Sequence, residues 1–365
     1  MQQLFHSYAP VAWQETKKGS LAFGRELLCN RFSKLPYSVQ KYRLAELRAV
    51  AEGLAKRIGI DLVFCDFLPP AVAMLDSPCG PRVILEHNVE FVLRKRMWAT
   101  EKHPIKKRIF KAEWKKTWTV EKKVCSTFNH VLAVSEQDQE TIQQEFKINH
   151  VSSIPTGVDT EFFKPQDVQP RRGQIVFVGS MDWYPNEDGM LWFLREVFPS
   201  IRAKNAEARL TIVGKNPTKR FRQAVPGDGS VELTGRVDDV RPYIAQAGVV
   251  VVPLRVGGGT RIKIPEAMAM GRPIVSTTLG AEGLRLVPGR EILLEDDPGR
   301  FAGAVLDLLG NPAQRQAIAQ MARNKAVQEH GWDKVADIVQ NILERVVENS
   351  EGGRNRESFM VPAVR

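Results

Sequence analysis

The sequence predicts an α/β protein built of two doubly wound, parallel-sheet domains. Three observations carry this. Short β-branched apolar runs alternate with longer stretches of helical period along the chain. Several of those runs close on a glycine turn. The length of 365 residues exceeds what one ordinary core holds. In the first half the strands fall at Leu62–Cys65, Val83–Leu85, Val131–Val134 and a short Val151–Ile154. Turn and linker residues follow from Pro155-Thr156-Gly157-Val158-Asp159 to Arg171-Arg172-Gly173, which sets the domain boundary near residue 166. The second half carries six strands, at Ile175–Val178, Arg209–Val213, Val231–Thr234, Val249–Pro253, Ile274–Ser276 and Ile292–Leu294. Six strands complete a doubly wound domain, and Gly179, Gly214 and Gly235 close three of them. Open α/β sheets bind ligands at the carboxyl ends of their strands, so contacts are expected along that edge. The domains are therefore expected at 1–165 and 166–335. A terminal helix over 336–348 is expected to pack back toward the first domain, followed by a disordered polar tail over 349–365.

The front of the chain is unusual for such a fold. Met1–Pro10 contains neither a strand nor a glycine-rich loop, and the first clear strand is Leu62–Cys65. In a doubly wound sheet the first strand is usually central. Leu62-Val63-Phe64, apolar on both faces, is therefore expected at a sheet edge.

Apolar residues make up 43% and charged residues 26%, as in a globular protein. No apolar run approaches the roughly 18 residues that cross a bilayer, and no secretory signal pattern opens the chain. A cytoplasmic location is expected, peripheral on the inner face of the membrane if the basic segment docks there. The cysteines Cys29, Cys65, Cys79 and Cys125 stand singly, away from any metal-spaced histidine, which argues for reduced thiols rather than disulfides or zinc. The net charge of +10 is concentrated in one place. Between Arg94 and Lys123 there are twelve Lys or Arg against three Glu. Lys107, Lys111 and Lys115, with Trp114 and Trp118, suit helices with one cationic face and interspersed aromatics. Two readings stand level: an element that lies on an anionic membrane surface, or a solvated helix face. No helix-turn-helix, zinc-finger or RNP signature accompanies the charge, so nucleic acid is not expected as a partner.

The densest chemistry lies between Gly257 and Ser276. Gly257, Gly258 and Gly259 let backbone approach a ligand closely, and Thr260, Arg261 and Lys263 follow. Pro265 suits the first helical position and Gly271 stops the helix. A helix start with two cations beside it suits a diphosphate. Glu266, in the first turn, is placed to hold the paired hydroxyls of a ribose. There is no G-x-G-x-x-G after a strand, no P-loop, no G-x-S-x-G elbow and no H-E-x-x-H, so dehydrogenase, P-loop, hydrolase and zincin chemistries lack their residues.

Gly257 to Gly283, taken with Glu86-His87-Asn88, Ala133-Val134-Ser135 and Thr156-Gly157-Val158-Asp159, resembles the family 4 retaining glycosyltransferases of type-B fold. The resemblance runs from about Pro36 to Val346. It implies two Rossmann-like domains facing across a cleft, the first lacking the family's opening strand and glycine-rich loop. It further implies transfer of a sugar, with retention, from a nucleotide-diphospho-sugar to a polysaccharide or glycolipid acceptor, without a metal or other cofactor. The donor is then held mainly by the second domain and a saccharide or lipid-linked acceptor by the first. On this resemblance Glu266 holds the donor ribose. The usual second glutamate is replaced by Gly258, whose backbone, with Gly259 and Thr260, reaches sugar or phosphate. The family's basic pair is likewise missing at Gly179-Ser180, which still fall at the substrate with Ser180 to Asn186 lining the cleft, and at Asp188-Gly189, which leaves Arg261 and Lys263 to neutralise the leaving diphosphate. His87 becomes a catalytic residue holding a sugar hydroxyl or transition-state charge. Gly214-Lys215 and Arg236-Val237 fall where the base is bound. No residue reads as a covalent nucleophile, and no pair of flanking carboxylates as in hydrolases is evident. The competing reading is an inactive or truncated relative that binds nucleotide-sugar or anionic membrane. A nucleotide-sugar epimerase of this architecture would need acid and base carboxylates that are not found.

Overall fold

The computed structural model describes residues 7–351 except 18, 43 and 257–261. The chain divides into two compact units, one of Met1–Ser153 with Asp337–Arg365 and one of Ile154–Ala336. The division thus falls between Ser153 and Ile154, ahead of the turn-rich stretch read as the linker. Hydrogen bonds explain why that stretch sides with the second unit. The Val158 N–H donates to the His330 carbonyl at 2.7 Å, and Arg323 donates to the carbonyls of Thr160, Phe163 and Ala269.

In the first unit the helices α1 (Leu21–Arg31), α2 (Tyr37–Gln40) and α3 (Leu44–Ile58) precede β1 (Val63–Asp66). Then come α4 (Leu68–Ala73), β2 (Arg82–Glu86), α5 (Glu90–Thr100), α6 (Pro104–Thr127), β3 (His130–Ala133), α7 (Glu136–Phe146) and β4 (Val151–Ser153). The four strands are parallel, in the order β1-β2-β3-β4. Among the described residues β1 pairs on one side only, at the edge expected for it. Cys65, Ile84, Val131, Ala133 and Val151 form one buried face, packed with Phe91, Val124, Phe128 and Phe146. Trp114 and Trp118 are half-buried and pack against this core. Lysines lie over both rings, Lys122 at 4.9 Å from the centre of Trp118 and Lys95 at 5.7 Å from that of Trp114.

The second unit runs β5 (Gln174–Val178), α8 (Tyr184–Trp192), α9 (Phe198–Lys204), β6 (Arg209–Val213), α10 (Lys219–Ala224), β7 (Val231–Gly235), α11 (Arg241–Gln246) and β8 (Val249–Val252). It continues with α12 (Lys263–Ala269), β9 (Ile274–Ser276), β10 (Leu293–Leu294), α13 (Pro298–Gly310), α14 (Pro312–Glu329) and the start of α15 (Trp332–Glu351). The sheet order β10-β9-β8-β5-β6-β7 is the doubly wound one, its winding reversing at β5. Residues alternate between its faces with period two. Ile175, Phe177, Leu210, Ile212, Val249, Val251 and Val275 pack under Phe193, Phe198 and Phe301, while Val176, Val250, Val252 and Ile274 pack under Ile264, Met268 and Ala322. Full burial of a side chain such as Phe177 stabilises the unit by about 2–3 kcal/mol. Helix α15 runs to Glu351, past the expected start of the tail, and the rest of that tail lies outside the described residues. No helix among the described residues is long and apolar enough to cross a membrane.

Candidate functional site

The site in the second unit is assembled at the carboxyl ends of β5, β6 and β8. Gly179, just past β5, donates its N–H to the Val213 carbonyl at 2.9 Å. A Cβ at Gly214 would sit 1.9 Å from the Gly179 carbonyl oxygen, and one at Gly179 would sit 2.8 Å from both Asn186 Nδ2 and Lys263 Nζ. Backbone leaves no room for a side chain at Gly214, and one at Gly179 would displace Asn186 or Lys263, so backbone of two adjacent strands is presented together.

Lys263 points into this corner. Its Nζ donates to Asn186 Oδ1 at 2.8 Å and lies 4.3 Å from the centre of the Phe177 ring. Asn186 is buried in the first turn of α8, and its Nδ2 donates to the Ser180 carbonyl at 2.8 Å. Both ends of its amide are thus occupied, which fixes its oxygen toward the ammonium. Ser180 Oγ donates to Asp182 Oδ1 at 2.6 Å, and Asn216 Nδ2 donates to Asp182 Oδ2 at 2.9 Å. These bonds tie the turn after β5 to the turn after β6 and hold the Asp182 carboxyl below its ordinary range. Lys215 is exposed at the end of β6. Beyond β7, Arg236 is exposed, while Val237 is half-buried and packs toward the core.

Helix α12 begins at Lys263, not at Pro265 as the sequence suggested. Pro265 still lies in the first turn, where its missing N–H costs no intrahelical bond. Gly271, at φ +62°, ends the helix as expected. Lys263 and Glu266 consequently share one turn, on one face. Burial pushes the half-buried Glu266 carboxyl up to about 7, with Lys263 opposing the shift. Gly258, Gly259, Thr260 and Arg261 lie outside the described residues. The chain enters that stretch from an anchored segment: Thr277 Oγ1 donates to the Leu254 carbonyl, and Arg255 forms a two-pronged ion pair with Asp188 at 3.1 to 3.2 Å. Asp188, in a place where the family's charge pattern is absent, thus serves to hold Arg255. The approach of α8 to β8 leaves no room beside Gly189, where a Cβ would meet the Pro253 carbonyl oxygen at 2.4 Å.

In the first unit His87 follows β2, and its Nε2 lies 2.5 Å from Asp66 Oδ1, at the end of the neighbouring β1. Phe67 stacks on the imidazole with ring centres 4.2 Å apart. Its backbone adopts φ +82°, a conformation that non-glycine residues avoid and that this stacking accompanies. His87 is half-buried and so accessible to a ligand. Beside it, Glu86 turns the other way into the core. Glu86 and Glu121 are fully buried, and burial together with neighbouring carboxylates holds both well above the usual range. Glu121 accepts the N–H groups of Glu90 and Phe91 at 2.8 Å and so caps α5 from outside. Among the described residues no group of His, Cys, Asp or Glu is arranged to hold a metal.

The structure gives Asn186 its role and adds Asp66 and Phe67 to the residues singled out by the sequence. Asp66 was detectable as an acid at a strand's carboxyl end. Asn186, 77 positions from Lys263, carried no local signal.

Residues 17–162 match the model of Glycosyltransferase Family 4, and residues 172–311 match that of Glycosyl transferases group 1. A Klebsiella pneumoniae uncharacterized 44.6 kDa protein of the cps region is 24% identical over 245 residues, 65% of this chain and 62% of that one. A Corynebacterium glutamicum GDP-mannose-dependent monoacylated α-(1-6)-phosphatidylinositol monomannoside mannosyltransferase is 24% identical over 214 residues, 52% of this chain and 55% of that one. The chain therefore spans less than two thirds of either relative. Sucrose-phosphate synthase from Thermosynechococcus elongatus superposes with a TM-score of 0.69 at 17% identity, over 84% of this chain and 78% of that one, a likeness of fold.

Proposed function

We infer that the chain is a glycosyltransferase of the family 4 type, a reading supported by the glycosyltransferase match in each half and by the shared two-sheet architecture. We propose that the chain transfers a sugar, with retention, from a nucleotide-diphospho-sugar to a saccharide or lipid-linked acceptor of the cell envelope, working in the cytoplasm or at the inner membrane face. The observation that carries the reading is the corner where Lys263 Nζ meets the side-chain-free backbone of Gly179 and Gly214, with Glu266 in the same turn. In this reading Lys263, with Arg261, neutralises the diphosphate as the bond between the sugar C1 and phosphate oxygen breaks. Glu266 accepts the ribose hydroxyls, and the backbone at 258–260 lies along the sugar and phosphate. The base is placed near Lys215, Arg236 and Val237. His87, oriented by Asp66, holds a sugar hydroxyl in the first unit. The acceptor hydroxyl bonds to C1 on the face the diphosphate leaves and gives it its proton. No metal takes part. The Corynebacterium relative, by its name, uses GDP-mannose and a phosphatidylinositol-linked acceptor, which agrees with this class of donor and acceptor.

The test is calorimetric titration of the chain with GDP, UDP and their sugars. Lys263→Ala is expected to weaken binding of the preferred diphosphate by roughly 10- to 100-fold, as loss of a charge-assisted contact does. Equal affinities for wild type and variant would place the diphosphate elsewhere. No binding of any nucleotide sugar by the wild type would leave the reading of an inactive relative.

A further inference from the structure

Two arginines of the second unit come together where α12 ends. Arg272 stands just before β9, at the amino edge of the sheet, whereas the Lys263 corner lies at the carboxyl edge. The Arg272 side chain is deeply placed, the residue being only 9% exposed. Its Nη2 donates to the Val168 carbonyl at 3.2 Å, and its Nε is buried with no partner. Arg315 comes from α14. That helix packs Ala322 and Ala326 with Ala269 and Met270 of the α12 segment, and Ala319 and Arg315 continue the same face toward Arg272 in steps of three or four residues. Arg315 is half-buried and forms the open side of the pair, its Nη1 reaching the Leu308 and Leu309 carbonyls at 3.3 and 3.4 Å. Burial, and then the Arg315 charge, both press on the Arg272 guanidinium. Among the described residues neither arginine has a carboxylate partner.

Helix ends explain part of this arrangement. Arg315 complements the last carbonyls of α13, as basic residues at a helix end do. Arg323, which also stands without an acid, is satisfied by three carbonyls. Arg272 has one. A buried charge with no counter-charge is costly, and a lysine or histidine would relieve that cost by losing its proton. A guanidinium cannot. The first turn of α14 holds no acid and adds its own partial positive charge. Two planar forks without an acid suit an oxyanion with several acceptor oxygens.

We propose that Arg272 and Arg315 bind a phosphoryl group, carried by free phosphate or by a small phosphomonoester, at the amino edge of the second sheet. This site is separate from the diphosphate corner at Lys263 and does not depend on the transferase reading.

The test is thermal melting of the full chain, followed by circular dichroism, in phosphate, in glycerol 3-phosphate and in sodium chloride at the same ionic strength. Phosphoryl ligand at roughly ten times its Kd is expected to raise the wild-type midpoint by about 3–6 °C over chloride. A larger gain from phosphate identifies the free ion as the ligand, and a larger gain from glycerol 3-phosphate identifies the ester. R272M removes the buried charge; it is expected to melt at or above wild type in chloride and to keep less than about a third of the gain. R315M is expected to weaken phosphate binding about tenfold in titration calorimetry. K263A, which removes the cation of the donor corner, is expected to keep most of the gain. Should R272M fail to fold, R315M decides the matter. No gain in the wild type overturns the proposal. So does an equal gain in R272M, which is what general exclusion of phosphate from the protein surface produces. Loss of the gain in K263A also overturns it, since the phosphate then sits at the donor corner.

Discussion

Glu266→Gln isolates the electrostatic state of the candidate donor site. Burial raises the Glu266 carboxyl from 4.5 to about 7 in the folded chain. A tenfold change in proton affinity corresponds to about 1.4 kcal/mol, so the full shift corresponds to about 3 kcal/mol. The side chain is only half-buried, and solvent screening brings the expectation to about 1–3 kcal/mol. The sign follows from proton counting. Between pH 4.5 and 7 the folded state binds more protons than the unfolded one, so this group's contribution to stability falls as pH rises through that window and stays low above it. Glutamine carries no charge at any pH and escapes the fall. E266Q is therefore expected to melt above wild type at pH 8, by roughly 3–8 °C for a unit of this size, and level with it near pH 4.5. Thermal melts across pH 4.5 to 8, followed by circular dichroism, measure the difference. An equal melting point at pH 8, or the same gap at both ends, would refute the reasoning. The same carboxylate accepts ribose hydroxyls in the proposed function. Wild-type affinity for a nucleotide diphosphate should then rise through pH 7, and that of E266Q should be lower and lack this rise. Stability gained where affinity is lost is the expected signature of a functional residue.

Three further outcomes follow from the geometry. Gly214→Ala places a methyl against the Gly179 carbonyl, backbone that cannot swing aside, and should cost about 1–3 kcal/mol in urea denaturation while weakening nucleotide binding. A variant as stable as wild type would show that the β5 and β6 ends separate freely. Glu121→Ala uncaps α5 and leaves the Glu90 and Phe91 N–H groups without their buried acceptor, and should destabilise the chain by about 1–3 kcal/mol with little effect on nucleotide affinity. Calorimetry on the folded variant finding nucleotide affinity sharply reduced would give Glu121 a functional part. His87→Ala should lower sugar transfer by about 100-fold or more while leaving nucleotide diphosphate affinity within about twofold. Asp66→Asn should fall between it and wild type, since it orients rather than touches substrate, and turnover with a saturating donor measures both. A wild-type rate in H87A would remove the histidine from the reaction.

The strands were legible because a buried parallel strand announces itself locally, as at Val249–Val252, where every residue is buried and the flanks are turn-like. The expectation of a cradle rests on glycines, cations and an acid within a few residues, of which 257–261 lie outside the described residues. The start of α12 was misplaced by two residues because proline was assigned to its commonest helical position and is tolerated throughout the first turn. That Trp114 and Trp118 pack against the first core was not legible, because the spacing of a helix says which residues share a face, not which face meets a core.

The sequence by itself determined the α/β class, the six strands of the second unit and the edge position of β1. These follow from local periodicity and from residue chemistry that needs no partner. The tertiary structure alone decided that Asn186 holds Lys263, that Gly179 and Gly214 stand backbone to backbone, and that Asp66 meets His87. Each of these pairings depends on which strand ends become neighbours when the sheet winds outward from β5, or when β1 adds to β2. That order is set by the packing of two whole faces, so no window of the sequence contains it.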